Sequence, residues 1–172
     1  MTRFEGTGCV NPELAREIGL TGVAGRASGL KVDARVDFPL VDETIADTLV
    51  SDEVRTGDVL SRARQRYDEL KVSHRLVAAL LNRPTDAFGV EETRSRAADP
   101  EGETLRVAVV EAWRGELVHA AVTGVNGLEQ YKIFDPSFHN WFGLEQALRG
   151  EQISNFPICT KSFNLSYCGV DR

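Results

Sequence analysis

The longest regular pattern of apolar residues lies between Gly57 and Leu81. Spacings of three and four alternate along a set that we call the apolar stripe: Leu60, Ala63, Tyr67, Leu70, His74, Val77 and Leu81. These spacings place the stripe on one face of an α-helix about 36 Å long, at a rise of ~1.5 Å per residue. Such a stripe is typical of a helix in a bundle. The rest of the sequence predicts only short helices, so we expect part of the bundle to come from other polypeptide.

The segment before this helix is rich in glycine. Asn11 followed by Pro12 and an acidic residue predicts the N-terminus of a short helix that ends by about Ile18. The glycine-dense residues 20–29 predict backbone turns. Residues 30–39 predict extended chain, because Pro39 disfavours helix at the residue before it.

A polar stretch follows the long helix, and after it come segments in which apolar and polar residues alternate. Residues 83–103 predict a mobile linker. Strands are predicted at 105–113, 116–123 and 129–134, separated by glycine-containing turns, and Ser137 is predicted to cap a helix that runs to Leu148. We therefore predict an α+β fold with three parts. Residues 1–82 hold the glycine-rich segment and a long amphipathic helix, 83–103 the linker, and 104–172 a three-stranded antiparallel meander, a C-terminal helix and a tail.

Charge and cysteine content narrow the classes of function. A net charge of -6 argues against a nucleic-acid surface, and the basic cluster Arg62, Arg64, Arg66 and Lys71 predicts a solvated helix face because acidic residues interrupt it. Three widely spaced cysteines without a CxxC pair favour a reducing compartment. No apolar run approaches the roughly 20 residues that span a bilayer, so membrane association is expected only through partners.

The residues that carry chemistry form no complete site in the sequence. His74 lies on the apolar stripe and is expected to be a core imidazole, and no histidine pair has the spacing of a zinc-binding helix. A nucleophile pair of Cys159 or Cys168 with His139 stays open, because such partners need not be close in sequence. Residues 22–29 match neither a P-loop nor a dinucleotide fingerprint, which favours a structural turn over a ligand loop.

Six segments, taken in order, resemble one family. They are RFEGTG at 3–8, GVAGRASG at 22–29 with Asp33 and Arg35 after it, Gly57-Asp58 with Ser73, RGE at 114–116, PSFHN at 136–140 and VDR at 170–172. Together they are similar to the C-terminal part of two related proteins: the D subunit of respiratory complex I (NADH:quinone oxidoreductase) and the large subunit of membrane-bound nickel-iron hydrogenases. The resemblance covers nearly the whole chain.

The resemblance locates the positions of metal ligands. In the hydrogenase branch two CxxC pairs hold the nickel-iron centre, and the distal pair corresponds to Ser166 and Gly169, with Cys168 between them. Cys9 stands alone near the other end of the chain. Nickel and iron in such a centre require thiolates, which serine and glycine do not supply. The resemblance therefore implies a hydrogenase-like relative with a degenerate metal site, with no metal, cofactor or catalytic residue of its own.

The resemblance also implies a role and a setting. In the complex I branch the vacated cavity admits quinone, and the residues expected to line or brace it here are Arg26, Ser28, Asp33, Arg35, Asp171 and Arg172, because buried charges persist only when paired. The implied function is quinone- or proton-linked electron transfer within an NAD-linked, hydrogenase-like complex. An iron-sulfur small subunit and other subunits are the implied partners, at the cytoplasmic face of the inner membrane.

Two other outcomes follow from the residues alone. The chain is alternatively a non-catalytic interaction module, in which the long helix and the meander bind a partner. An isolated chain is expected to self-associate, or to be locally disordered, along the apolar stripe. Burying about seven such side chains would contribute on the order of 10 kcal/mol, at ~1.5 kcal/mol each.

Overall fold

The computed structural model describes residues 3–38, 55–82 and 103–169. Three short helices occupy the first of these ranges: α1 (Pro12–Glu17), α2 (Gly22–Ala27) and α3 (Ala34–Asp37). The Asn11 side chain accepts a hydrogen bond from the amide of Leu14, so the predicted N-cap of α1 is confirmed. The predicted end near Ile18 is also confirmed, because that residue is the C-cap.

Two predictions for this range are wrong. The glycine-dense segment forms α2 rather than a series of turns. Its glycines serve close packing, since a Cβ on Gly22 would overlap the backbone of Arg114 and Gly115. The segment after it is not extended throughout, because the Asp33 carboxylate accepts from the amide of Arg35 and starts the single turn α3.

The long helix is confirmed as α4 (Val59–Leu81), but the prediction of its buried face is wrong. Helix α2 and the later helix at 156–163 pack on a different face, which buries Val59, Arg62, Gln65 and Val72. Most of the apolar stripe remains exposed, as the exposed fractions of Leu70 (57%) and Leu81 (81%) show. His74 is also exposed, so it is not a core imidazole.

The predicted meander is confirmed as an antiparallel sheet with strand order β1-β2-β3. Its strands are β1 (Thr104–Ala112), β2 (Gly115–Gly124) and β3 (Gly127–Phe134). Val109 pairs with Val118 in the first hairpin, and an irregularity at Val122 and Thr123 shifts the register of the second. The ring of His119 on β2 hydrogen-bonds the hydroxyl of Tyr131 on β3, which gives this histidine a structural partner.

Two helices complete the described chain: α5 (Pro136–Leu148) and, after a 3₁₀ turn at Ile153–Asn155, α6 (Phe156–Phe163). The cap of α5 is Asp135 rather than Ser137, since the Asp135 carboxylate accepts from the Ser137 amide at 2.7 Å and Pro136 takes the first helical position. The sequence did not predict α6. Its Pro157 stands in the first turn, where a helix tolerates proline.

The core lies where the glycine-rich segment meets the start of α4, α5 and α6. Its main members are Val10, Leu20, Leu30, Val59, Leu144, Cys159 and Phe163. Within the described ranges no helix has both the length and the apolar character needed to cross a membrane. The observed elements confirm the predicted α+β class, while the predicted linker lies outside the described residues except for residue 103. The three-part division stays a prediction.

Candidate functional site

A cluster of five charged side chains connects α2, α3, α4 and β1, and we call it the Arg26 cluster. Its members are Arg26, Asp33, Arg35, Glu69 and Glu111. Arg26 donates to both carboxylate oxygens of Glu69, from Nε at 2.7 Å and from Nη2 at 3.0 Å. The same Nη2 atom donates to Glu111 at 2.9 Å, and Nη1 lies 3.3 Å from Asp33. One guanidinium therefore contacts three carboxylates.

The second guanidinium of the cluster holds Asp33 in place. Arg35 donates to the two carboxylate oxygens of Asp33 at 2.9 and 2.6 Å and lies 3.6 Å from Glu69. Burial favours the neutral acid, but the hydrogen bonds and charges of Arg35 and Arg26 outweigh it and lower the pKa of Asp33 below its ordinary value. The Asp33 carboxylate is therefore ionised near neutral pH.

Glu111 has the opposite balance, at the end of β1. Its side chain is only 4% exposed, with one oxygen bound to Arg26 and the other accepting from the Ala34 amide at 3.0 Å. Burial raises the pKa of Glu111 above its ordinary value, and the nearby charge of Asp33 adds to this against the opposing effect of Arg26. With three carboxylates and two guanidiniums, the Arg26 cluster has one carboxylate more than its cations neutralise.

The structure thus brings three of the predicted site residues together and places the others elsewhere. Arg26, Asp33 and Arg35 share the Arg26 cluster. Ser28 is fully buried at the C-cap of α2 beside Gly57, and its hydroxyl has no hydrogen-bond partner among the described residues. Asp171 and Arg172 lie outside the described residues. A role of these residues in lining or bracing a quinone cavity stays a prediction.

Sequence reasoning missed Glu69 and Glu111. Glu69 follows Gln65 by one helical turn, and the Gln65 amide donates to the Glu69 carboxylate at 2.8 Å. The available signal was this polar row on α4, opposite the apolar stripe, but it looks like an ordinary solvated face. Glu111 is the second-last residue of β1, three residues before the resemblance segment that begins at Arg114. No local pattern marks Glu111 as buried.

The predicted metal-ligand positions form a compact backbone turn. Ser166 receives its contacts from α5: its amide donates to the Ser137 hydroxyl at 3.0 Å and its carbonyl accepts from the Trp141 indole at 3.4 Å. The Ser166 hydroxyl accepts from the Gly169 amide at 3.3 Å. A Cβ on Gly169 would come within 2.7 Å of both carboxylate oxygens of Asp135.

This arrangement does not fit a thiolate-bound nickel-iron centre. Neither position supplies sulfur, and a cysteine at 169 would collide with the group that caps α5. Across the described ranges, no three histidine, cysteine or acidic side chains are grouped closely enough to hold a metal ion.

Arg62 corrects the prediction of a solvated basic face. Arg64 and Lys71 are exposed, but Arg62 is only 1% exposed and its guanidinium lies 4.2 Å over the Phe163 ring. It donates to the Gly57 carbonyl at 2.6 Å, to the Gly8 carbonyl at 3.0 Å and to the Ser162 hydroxyl at 2.8 Å. Burial lowers the pKa of Arg62 to about 10, since its hydrogen-bond partners are neutral.

The geometry of Cys159 favours a structural role. Cys159 is fully buried in the core, and burial raises its pKa, so the thiol is protonated at neutral pH. Burial also raises the pKa of Cys9. His139 is exposed on α5 with its ring against the edge of Phe138. A nucleophile needs a thiolate, and among the described residues the charge of Arg62 does not outweigh the burial of Cys159.

Comparison with known proteins gives the class of this chain. A family model described as the respiratory-chain NADH dehydrogenase 49 kDa subunit matches residues 1–105. The chain belongs to this family, which it shares with the large subunits of membrane-bound hydrogenases, so the predicted resemblance is confirmed.

Individual relatives come from both branches. The D subunit of NADH-quinone oxidoreductase from Syntrophobacter fumaroxidans is 30% identical over 99% of the chain and 45% of its own length. Formate hydrogenlyase subunit 5 of Escherichia coli is 28% identical over 99% of the chain and 29% of its own length. A solved structure of the membrane-bound sulfane sulfur reductase, an archaeal respiratory membrane complex, matches with a TM-score of 0.79 and 27% identity, covering 99% of this chain and 47% of that one. The chain spans less than half the length of these relatives.

Proposed function

We propose that this chain acts as the C-terminal portion of a complex I/hydrogenase-like large subunit that takes part in quinone- or proton-linked electron transfer. The observation that carries the proposal is the match of 99% of the chain to subunits of both an NADH-quinone oxidoreductase and a formate hydrogenlyase. The exposed apolar stripe on α4 supports it, because a helix face of this kind is typical of an interface with further polypeptide.

Within that role the chain supplies structure rather than a redox centre. The metal site is degenerate, since Ser166 and Gly169 stand where thiolates would be needed. Quinone and NAD would react with other parts of the complete assembly. The Arg26 cluster would hold α2, α3, α4 and β1 together as one wall of the quinone cavity, because its ion pairs link all four elements.

The proposed partners are an iron-sulfur small subunit and other subunits of the same complex, with the chain peripheral at the cytoplasmic face of the inner membrane. The test is to tag the chain in its own host at native expression level, solubilise membranes in mild detergent and identify its stable partners by native electrophoresis and mass spectrometry. Recovery of an iron-sulfur subunit in a complex with quinone-reductase or hydrogen-linked activity is the expected result. Recovery in a stable complex with no redox subunit would overturn the proposal and favour the interaction module.

A pair of variants tests whether the Arg26 cluster contributes to assembly of the complex. Arg26→Ala should reduce the amount of assembled complex, whereas Arg64→Ala, which changes an exposed arginine on α4, should leave assembly unchanged. Equal assembly of both variants would contradict the proposed role of the cluster.

A further inference from the structure

An open groove lies between the start of α4 and helix α6. Its volume is about 810 Å³, within the range of sites for small molecules. The walls are mostly apolar, with Phe4, Trp113 and Ile158 among the lining side chains. Phe4 is 46% exposed and Trp113 is 52% exposed, so two aromatic rings are available to a ligand.

The polar lining of the groove is cationic. Arg66 and Lys161 both line it, and in the part of the chain that the structure describes neither forms an ion pair with a carboxylate. Arg26, by contrast, contacts three carboxylates. Glu69 attracts Arg66 electrostatically without forming an ion pair with it, so no carboxylate of the described residues lies within ion-pair distance of either cation.

Arg66 is also poorly satisfied in its hydrogen bonds. Its two Nη atoms donate to the carbonyls of Ser162 and Phe163, both at a long 3.4 Å, and its buried Nε has no acceptor among the described residues. The guanidinium lies 5.3 Å from the centre of the Trp113 ring. A guanidinium in this state gains from a bidentate acceptor, and a carboxylate has the matching geometry.

We propose that this groove binds a single-chain amphipathic carboxylate, an anion of the fatty-acid type. The carboxylate pairs with Arg66 and Lys161, and the alkyl chain lies along Phe4, Trp113 and Ile158. Neutral amphiphiles lose the ion pair, and cationic amphiphiles are repelled by the same two residues. This site is independent of the proposed electron-transfer role, since it needs no residue of the Arg26 cluster or of positions 166 and 169.

Trp113 provides a direct readout. The chain has two tryptophans, so Trp141→Phe leaves Trp113 as the single tryptophan, whose emission is excited selectively over that of the tyrosines. Titration of this variant with decanoate, below its micelle concentration, should give a saturable change in emission. The probes 1-decanol and decyltrimethylammonium should bind at least about tenfold more weakly, the scale of one lost charge-assisted hydrogen bond. Calorimetry on the unaltered chain repeats the comparison if Trp141→Phe disturbs the fold.

Variants then separate charge from apolar contact. Arg66→Gln and Lys161→Gln should each weaken decanoate binding by about tenfold, while leaving the binding of 1-decanol unchanged. Arg64→Gln is the matched control, because Arg64 is exposed on the same helix and does not line the groove. Equal affinity for decanoate and 1-decanol, no saturable decanoate binding, or no effect of Arg66→Gln would each overturn the proposal.

Discussion

The two faces of α4 differ in a way that reverses the usual arrangement of a surface helix. The face toward the core carries Arg62, Gln65 and Glu69, while the apolar stripe, with Tyr67 and Leu70, is exposed. These three polar side chains of the inner face all have partners that satisfy them, in the Arg26 cluster or in the contacts of Arg62. The comparison shows that a paired charge can stand in a core, while an exposed apolar row is a feature typical of interfaces.

The largest expected effect comes from breaking the inner face at the Arg26 cluster. Arg26→Ala leaves three carboxylates close together and partly buried, so it should lower the free energy of unfolding by about 3–5 kcal/mol. Urea denaturation followed by circular dichroism measures this loss. Arg64→Ala should change the same quantity by no more than about 0.5 kcal/mol, and similar losses in both variants would contradict the role of the cluster.

A substitution of Arg62 tests how much the uncharged contacts of the inner face contribute to stability. Arg62→Met removes the donor to the carbonyls of Gly8 and Gly57, and the loss should be about 1–3 kcal/mol because unsatisfied buried acceptors remain. Removal of a costly buried charge offsets part of it. Urea denaturation under matched conditions should show a smaller loss for Arg62→Met than for Arg26→Ala. The reverse order would show that neutral acceptors, rather than ion pairs, dominate the inner face.

The contributions of Asp33 and Glu111 to stability should respond to pH with opposite signs. The pKa of Asp33 is lowered by folding, so its contribution to stability is present above its unfolded pKa and is lost as pH falls through the folded value. The pKa of Glu111 is raised, so its contribution is present below its unfolded pKa and is lost as pH rises through the folded value.

Two amide variants isolate these contributions. Between about pH 3 and 7, Asp33→Asn should lose less stability on acidification than the parent chain, while Glu111→Gln should lose less as pH rises from about 4. The measurement is the free energy of unfolding in urea across this pH range. Slopes that change in the same direction in both variants would contradict the assigned pKa directions.

The smallest effect on stability is expected on the outer face. Tyr67→Ser with Leu70→Ser removes apolar surface that is already exposed, so the free energy of unfolding of a monomer should change by no more than about 0.5 kcal/mol per substitution. Self-association, measured by sedimentation velocity, should decrease in this variant. A monomeric parent chain at high concentration would contradict the predicted association through the stripe.

Periodicity predicted the existence of α4 but not its orientation. The spacing of Leu60, Tyr67 and Leu70 marks one helical face. To infer that this apolar face is buried, one has to assume that the same chain packs against it. Here the inner face carries Arg62, Gln65 and Glu69 between Val59 and Val72, and its polar side chains have partners far away in sequence, such as Arg26 for Glu69. Long-range pairing of this kind leaves no local signal.

The strands and the first helix were predictable because their signals are local. Alternation with glycine turns identified the meander, and Asn11 before Pro12 identified the start of α1. The misassigned α2 has glycines that allow the backbones of Gly22 and Gly115 to touch, a tertiary requirement that looks like turn chemistry in sequence. In the Arg26 cluster, the family resemblance predicted Arg26, Asp33 and Arg35. The acidic partners Glu69 on α4 and Glu111 on β1 could be identified only from the structure.

The contact between Gly169 and Asp135 has an evolutionary consequence. Asp135 begins a helix, and its carboxylate occupies the volume into which any side chain at 169 would project. The two positions are therefore coupled: a larger residue at 169 has to displace the carboxylate at 135, and the displaced carboxylate loses the hydrogen bond that begins the helix. A lineage that enlarged position 169 would pass through an intermediate with a weakened helix start before it gained anything at the other site.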